Sequence, residues 1–299
     1  MTVDERDSLA ERFEEHRAHL RGVAYRMLGS LPEAEEAVQD SWLRVSAAGT
    51  EGIENLRGWL TTIVARVCLN MLRARKARPE SAAGIRLPDP IVTPSDGPDP
   101  ERDVVLADEV GLALQVVLET LVPAERVAFV LHDMFDVSFE EIGPMLGRSS
   151  TAARQLASRA RRRVRGAELP TSDRDLARQR EVVDAFFAAA HRSDFDGLMA
   201  VLHPDVVLRS DGGPKRSALT TVRRGAAAVA EGAITFRMPH AVRHPVLING
   251  APGVVVAIKD RPFSIMGFTV ADGRIVRIDA IVDPDRLPRL TSFTLRDDA

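Results

Sequence analysis

Between Ala77 and Asp103 six prolines (79, 88, 90, 94, 98 and 100) interrupt the chain. No helix or central strand runs through such a density of residues that fix φ and lack an N–H. The polypeptide is therefore divided near its first third, and residues 77–103 are expected to be an extended, poorly structured linker. The full length of 299 residues agrees with more than one core. The sequence has no apolar run of 18 residues, and the acidic start lacks the charged and apolar regions of a signal peptide, which predicts a soluble cytoplasmic protein with no membrane association. Cys68 is the single cysteine, which excludes an internal disulfide framework and a thiolate metal cage. No metal or cofactor is expected.

On the two sides of the break the apolar pattern differs. Residues 8–76 and 104–165 repeat apolar positions at three and four, the signature of packed helices, with breakers at Gly29–Pro32 and Ala48–Gly52. From about 176 two helices, 176–191 and 195–202, precede strand-like runs at 206–208, 234–238, 241–248, 253–258, 263–270 and 274–282. Helices first and strands later predict an α+β domain with a largely antiparallel sheet. Asp272-Gly273 supplies the positive φ of a hairpin turn. Along 274–282, Val276, Ile278, Ala280 and Val282 fall on one face and Arg277 and Asp279 on the other.

Net charge is only −3, yet it is segregated. Residues 148–165 hold seven arginines and no acid, residues 66–78 hold five cations and no acid, and residues 31–56 hold six carboxylates against Arg44 alone. Two basic stretches in an otherwise acidic chain predict local contact with nucleic acid and an acidic surface left for a protein partner.

Three segments carry this chemistry. Ser138 to Gly147 opens with a Ser-x-x-Glu capping box, runs two turns and stops at a glycine suited to a left-handed residue, with Pro144 predicting a kink. The basic helix 149–163 follows at once, which makes a helix-turn-helix. Arg154, Gln155, Ser158 and Arg159 share one side, where Arg reads guanine and Gln adenine, while Arg161 to Arg165, Arg162 among them, can grip phosphates and Arg148 is a further DNA-binding candidate. The alternative is an arginine-rich solvated helix. The stretch 59–76 buries Leu60, Val64, Val67 and Met71 and leaves Trp59, Arg66, Asn70 and Arg73 as a stripe fit to stack on unpaired bases, the alternative being that Trp59 is a core aromatic. Helix 33–45 buries Ala34, Val38, Trp42 and Val45 and aligns Glu33, Glu36 and Asp40, beside Gln39, on a face that an electropositive partner would match.

In this order the segments resemble the extracytoplasmic-function (ECF) sigma factors of bacterial RNA polymerase. Ala24-Tyr25-Arg26-Met27-Leu28-Gly29-Ser30 through Ala37–Val45 is similar to the polymerase-binding part of region 2. Leu56-Arg57-Gly58-Trp59 through Arg66 is similar to its promoter-melting and −10 helix, and Leu121–Arg126 with the helix-turn-helix is similar to region 4, the −35 reader. Residues 176–299 extend the likeness to the sigma-J-like subgroup, in which a SnoaL-like domain of the NTF2-like cone fold follows region 4. Arg86-Leu87-Pro88-Asp89-Pro90 resembles the subgroup's aromatic-Leu-Pro-Glu-Pro linker motif, with Arg86 and Asp89 as departures. Asp211-Gly212-Gly213-Pro214-Lys215 resembles its Asp-Gly-Gly-Gly-Lys motif, with Pro214 as the departure.

The resemblance implies a multidomain chain: two all-α sigma domains, region 2 at 1–76 and region 4 at 104–166, joined by linker 77–103 and followed by a regulatory cone at 176–299. It implies RNA polymerase core and promoter DNA as partners, the −10 and −35 elements included. It further implies regulation in cis by the cone, so that a separate anti-sigma factor is not required, with room in the cone for a small ligand of unspecified chemistry. On this reading Leu87, Pro88, Asp89 and Pro90 meet Asp211, Gly212, Gly213 and Lys215 through a weak cation–anion pair between exposed segments, with apolar contacts of Leu87 and its prolines supplying most of the docking energy, and the cone packs on the linker and region 2. Two other readings compete. One is a one-component regulator with a ligand-sensing cone. The other is an NTF2-like enzyme fused to a DNA-binding module, with His203, Asp205, Asp211 and Asp279 as acid–base candidates. The acidic docking helix beside a second DNA-contacting helix favours the sigma factor, and no catalytic activity is expected.

Overall fold

The computed structural model describes residues 3–48, 53, 55–77, 85–95, 111–166, 175–236, 238 and 240–291. Residues 78–84 and 96–103 of the expected linker, and the cation Arg78, lie outside them. The chain forms two units, one of residues 1–80 with 114–168 and one of residues 81–113 with 169–299.

The first unit is helical. Helix α1 (Val3–Leu28) buries Phe13, Leu20, Val23, Ala24 and Met27 and ends where Gly29 turns left-handed at φ 73°. Helix α2 (Leu31–Ala48) buries Ala34, Ala37, Val38 and Val45, while Trp42 is half-buried against Phe13 with ring centroids 5.1 Å apart. Helix α3 (Leu56–Ala77) buries Leu60, Val64, Val67 and Cys68, with Met71 half-buried. Burial pushes the Cys68 thiol well above its ordinary range, so it is unreactive. The remaining helices of this unit begin with α4 (Leu112–Glu119) and α5 (Pro123–Phe129), which runs into a π turn at Val130–Met134. They finish with α6 (Phe139–Leu146) and α7 (Ser150–Gly166). Helix α3 packs on both α5 and α6, so the helices on either side of the linker share one core.

In the second unit, β1 (Val92–Pro94) is followed by α8 (Leu176–Arg192) and α9 (Phe195–Val201). The remaining strands are β2 (Leu202–Asp211), β3 (Thr221–Arg224), β4 (Val242–Ile248), β5 (Ala251–Ile258), β6 (Arg261–Ala271) and β7 (Arg274–Ile281), with α10 (Ala226–Thr235) after β3 and α11 (Leu287–Leu290) after β7. They make a seven-stranded sheet in the order β1-β4-β5-β6-β7-β2-β3, antiparallel except for the β2–β7 pair. Three two-residue hairpins, at Asn249-Gly250, Lys259-Asp260 and Asp272-Gly273, have positive φ at both central residues, the turn that matches strand twist. Phe186, Phe187 and Phe268 meet at 5.4–5.8 Å in the core between α8 and the sheet.

Four expectations need correction. The strand expected at 234–238 begins inside α10, because the alanine-rich run from Ala226 carries the helix through Ile234. His203-Pro204-Asp205 does not end a helix but lies in the irregular start of β2, where pairing with β7 shifts after Leu202. A bulge opposite Thr269 and Val270 displaces Val276, so Ile275 and Ile278 enter the core together. Residues 86–94, expected to be poorly structured, include a strand: Val92, Thr93 and Pro94 pair with Ile248, Leu247 and Val246.

Candidate nucleic-acid interface

The helix-turn-helix is closed by its own local chemistry. The Ser138 hydroxyl oxygen accepts the Glu141 N–H at 3.3 Å, and the Glu141 carboxylate takes the Ser138 N–H at 3.2 Å and its hydroxyl at 2.7 Å. Pro144 stands inside α6, which stays continuous to Leu146: the lost N–H falls in the last turn before the cap. At the far end Gly147 adopts φ 65°, its N–H reaching Pro144 O at 3.2 Å and the Arg148 N–H reaching Gly143 O at 2.9 Å. A Cβ on Gly143 would stand 2.9 Å from Arg148 O, so the turn needs glycine there too.

Helix α7 buries Ala153, Ala157 and Ala160, a stripe small enough for α5 and α6 to approach closely. Arg148, Arg154, Gln155, Ser158 and Arg162 are exposed on the other sides, Arg154 lying over the Phe139 ring at 5.3 Å. Arg159 is half-exposed but donates to Glu125 at 2.8 Å, Arg163 donates to the same carboxylate at 2.6 Å, and Arg161 donates to Asp133 at 2.5 Å. Three of the seven arginines thus hold the fold in place. Arg159 uses its Nε on Glu125, and Arg154 and Gln155 are exposed beside it in sequence.

On α3, Asn55 caps the helix by accepting the Gly58 N–H at 2.9 Å. Trp59 is half-buried, and Arg66, Asn70 and Arg73 are exposed. On α2, Glu36, Gln39 and Asp40 are exposed, whereas Glu33 is half-buried and faces Arg75 at 3.6 Å. The acidic face is therefore narrower than the spacing suggests.

What joins the helices on both sides of the linker is Arg126, 1% exposed. It donates to Arg26 O at 3.2 and 3.3 Å and pairs with Glu119 at 2.9 Å, and Glu119 also takes Arg75 at 2.9 Å. Burial pushes the Arg126 guanidinium below its ordinary range and Glu119 opposes that shift.

A second buried arginine organises the other unit. Arg286 donates to Asp211 Oδ2 at 2.6 Å, to Asp89 Oδ1 at 2.7 Å through Nε, and to Leu87 O at 2.7 Å. Asp211 Oδ2 also accepts the Leu87 N–H at 2.9 Å, and Asn249 exchanges hydrogen bonds with Ile91 at 2.7 and 2.9 Å. Leu87, Pro88, Pro90 and Ile91 are buried. Gly212 and Gly213 are obligatory, since a Cβ would stand 1.9 Å from Arg216 O or 2.3 Å from Asp283, and Gly213 has φ 58°. The linker thus meets the Asp211 segment, but Asp211 is buried rather than in an exposed loop, and the cation is Arg286. Lys215 pairs with Asp285 at 2.6 Å on the surface. Nothing in spacing singles out Arg286, which lies about two hundred residues from Asp89.

The four acid–base candidates are not brought together. His203 receives the Asp205 N–H at 3.1 Å at the start of β2, Asp211 belongs to the clasp, and Asp279 pairs in register with Arg209. Burial raises Asp279 to about 6 against the opposing pull of Arg277 and Arg209.

A three-helix bundle with an acidic face, followed by a capped helix-turn-helix in the same unit, defines a sigma-70-class promoter factor. The models for Sigma-70 region 2 and Sigma-70 region 4 match residues 12–78 and 111–164. The chain is 39% identical to the ECF RNA polymerase sigma factor SigJ of Mycobacterium tuberculosis, over 92% of this chain and 91% of that one. It is 31% identical to the probable ECF sigma factor SigI of the same species, over 96% and 98%. The crystal structure of M. tuberculosis SigJ superposes with a TM-score of 0.74 at 37% identity, covering 93% of this chain and 97% of that one. The chain belongs to the ECF RNA polymerase sigma factors: it is an alternative sigma subunit. Its second unit is an α+β domain, a mixed seven-stranded sheet with flanking helices. No helix among the described residues is long and apolar enough to cross a membrane.

Proposed function

We propose that this sigma subunit docks on core polymerase in the cytoplasm through Glu36, Gln39 and Asp40, with Glu33 joining once Arg75 is displaced. It opens the −10 element with Trp59, Arg66, Asn70 and Arg73. It reads the −35 element with Arg154, Gln155 and Ser158, while Arg148, Arg159 and Arg162 hold phosphates. The observation that carries this reading is the capped turn from Ser138 to Gly147, which leaves one face of α7 bare while Arg161, Arg163 and the Nε of Arg159 bind their own unit. The protein performs no chemistry of its own.

Geometry supports regulation in cis. Elements named −35 and −10 lie about 25 base pairs apart, which at 3.4 Å per step is about 85 Å. The longest helix of the first unit, with 26 residues, is about 39 Å. A unit in which α3 packs on α5 and α6 cannot hold both elements at once. Regions 2 and 4 must part on the promoter, and the linker must allow it. The cone's grip on residues 87–94 through Arg286 and Asp211 is the restraint, in place of a separate anti-sigma factor.

The test is run-off transcription with core polymerase on a matched template. Wild-type protein gives promoter-dependent transcripts, Arg154→Ala loses discrimination between matched and altered −35 bases, and Arg286→Met changes the yield without changing promoter choice. A protein that grips a duplex operator tightly by itself and never supports initiation is instead a one-component regulator.

A further inference from the structure

Inside the second unit is a cavity of about 340 Å³ between α8, α10 and the sheet. Its walls are mostly apolar and include Phe186, Phe187, Leu208, Phe236, Phe263 and Met266. A site of this volume falls at the lower end of the range for small-molecule pockets, and at about 30 Å³ per water it has room for roughly eleven water-sized groups. That suits a one- or two-ring body.

The charge on the lining is one-sided. Arg223 and Arg243 line the cavity, together with His191 and the hydroxyls of Ser210, Thr221 and Ser264, and no carboxylate lines it among the described residues. Arg243 lies over the Phe187 ring at 5.5 Å and Arg223 over the Phe236 ring at 5.9 Å. Rings hold the flat guanidinium faces and leave the N–H edges free to donate. Glycine at 232 makes room for this: a Cβ there would come within 3.1 Å of Arg223 Nε. Arg286 of the same unit meets two carboxylates, whereas the contacts of half-buried Arg223 and exposed Arg243 are with rings.

From an apolar body site, two ring-held guanidinium groups and no competing anion, we infer that the cavity binds a small aromatic carboxylic acid as its anion. The ring system packs among the phenylalanines, and the carboxylate takes the bidentate N–H edges of Arg223 or Arg243 with the hydroxyls beside it. The absence of a lining carboxylate leaves no Asp or Glu to serve as a base, so the site holds the acid and does not transform it by carboxylate catalysis.

Isothermal titration of the full chain with 2-naphthoate and with the neutral 2-naphthalenemethanol tests this independently of transcription. The acid should bind saturably and about tenfold more tightly than the alcohol, a difference of about 1.4 kcal/mol, and its affinity alone should fall with added salt. Arg223→Gln and Arg243→Gln should each weaken the acid several-fold and leave the alcohol unchanged. Arg243 is exposed on its strand, so changing it removes the guanidinium over Phe187 without emptying a buried position. No saturable binding of the acid, equal binding of the two probes, or variants that weaken both alike would each overturn the assignment.

Discussion

Arg126 and Arg286 are both nearly inaccessible, both donate to backbone carbonyls as well as to carboxylates, and both tie together parts of the chain remote in sequence. They differ in what they tie. Arg126 joins α1 to the end of α4 inside a helical core, where many apolar contacts share the task. Arg286 fastens a short, mostly irregular segment to a finished sheet, helped by the buried side chains from Leu87 to Ile91, the Asn249 and Asp211 hydrogen bonds and three strand pairs. The same buried cation is therefore a keystone in one unit and a latch in the other.

Two substitutions separate these roles most sharply. Arg126→Met leaves Glu119 with Arg75 alone and Arg26 O without its donor, and should lower the unfolding free energy of the helical unit by ~3–5 kcal/mol. Denaturant unfolding would register it as an earlier midpoint. Arg286→Met leaves Asp89 and Asp211 facing each other without a cation, at a comparable local cost. Its signature should be rapid amide exchange confined to residues 87–94, with the global midpoint nearly unmoved. A global collapse in the second variant, or a purely local effect in the first, would erase the distinction.

Acidity should move the two units in opposite directions. Asp279 holds its proton to about pH 6 in the folded state, against an ordinary value of 3.8. The folded cone therefore binds that proton more tightly than the unfolded chain, and stability is lost as pH rises from about 4 through 6. The loss above that window is on the order of 3 kcal/mol. Asp279→Asn should raise the cone's melting temperature at pH 8 and leave it unchanged near pH 3. In the helical unit, burial and the nearby Arg57 lower His19 to about 4 from 6.5. Its contribution is complete above pH 6.5 and lost as pH falls toward 4. A melting profile in which both units weaken together on acidification would contradict this pairing.

Smaller effects belong to the DNA-facing surface. Arg154→Ala or Gln155→Ala should relax the preference at single −35 bases by ~1–3 kcal/mol, while Arg162→Ala weakens all sequences alike and flattens the salt slope by about one. Trp59→Ala should impair opening of a closed duplex and spare a pre-melted −10 bubble, by ~1–3 kcal/mol for a lost stacked base. The least is expected of Lys215→Ala. Its partner Asp285 is exposed, and exchange at residues 87–94 should be unaltered. Loosening of the latch by this change would restore Lys215 to the role that the motif suggests.

The helical unit was legible because its signals are local. A Ser-x-x-Glu box, a glycine nine residues after the serine and an alanine stripe in α7 lie within thirty residues, and each states its own geometry. The cone was only partly legible. Asp272-Gly273 announces its hairpin, but Lys259-Asp260 forms the same turn with residues that rarely adopt it, and the bulge at Val276 depends on a partner strand. The latch was half legible: the motifs named Leu87, Asp89 and Asp211, while Arg286 shares no period or spacing with them. The segregated arginine count likewise could not distinguish Arg154, free to face a base, from Arg163, committed to Glu125.

The bond between Arg286 and Asp89 spans 197 residues. At translation rates of roughly 5–20 residues per second, the arginine leaves the ribosome's active centre about 10–40 s after the aspartate. Both promoter-reading regions precede it in the chain and can fold in that interval. Each newly made molecule thus passes through a brief youth in which its DNA-binding parts exist and its latch does not.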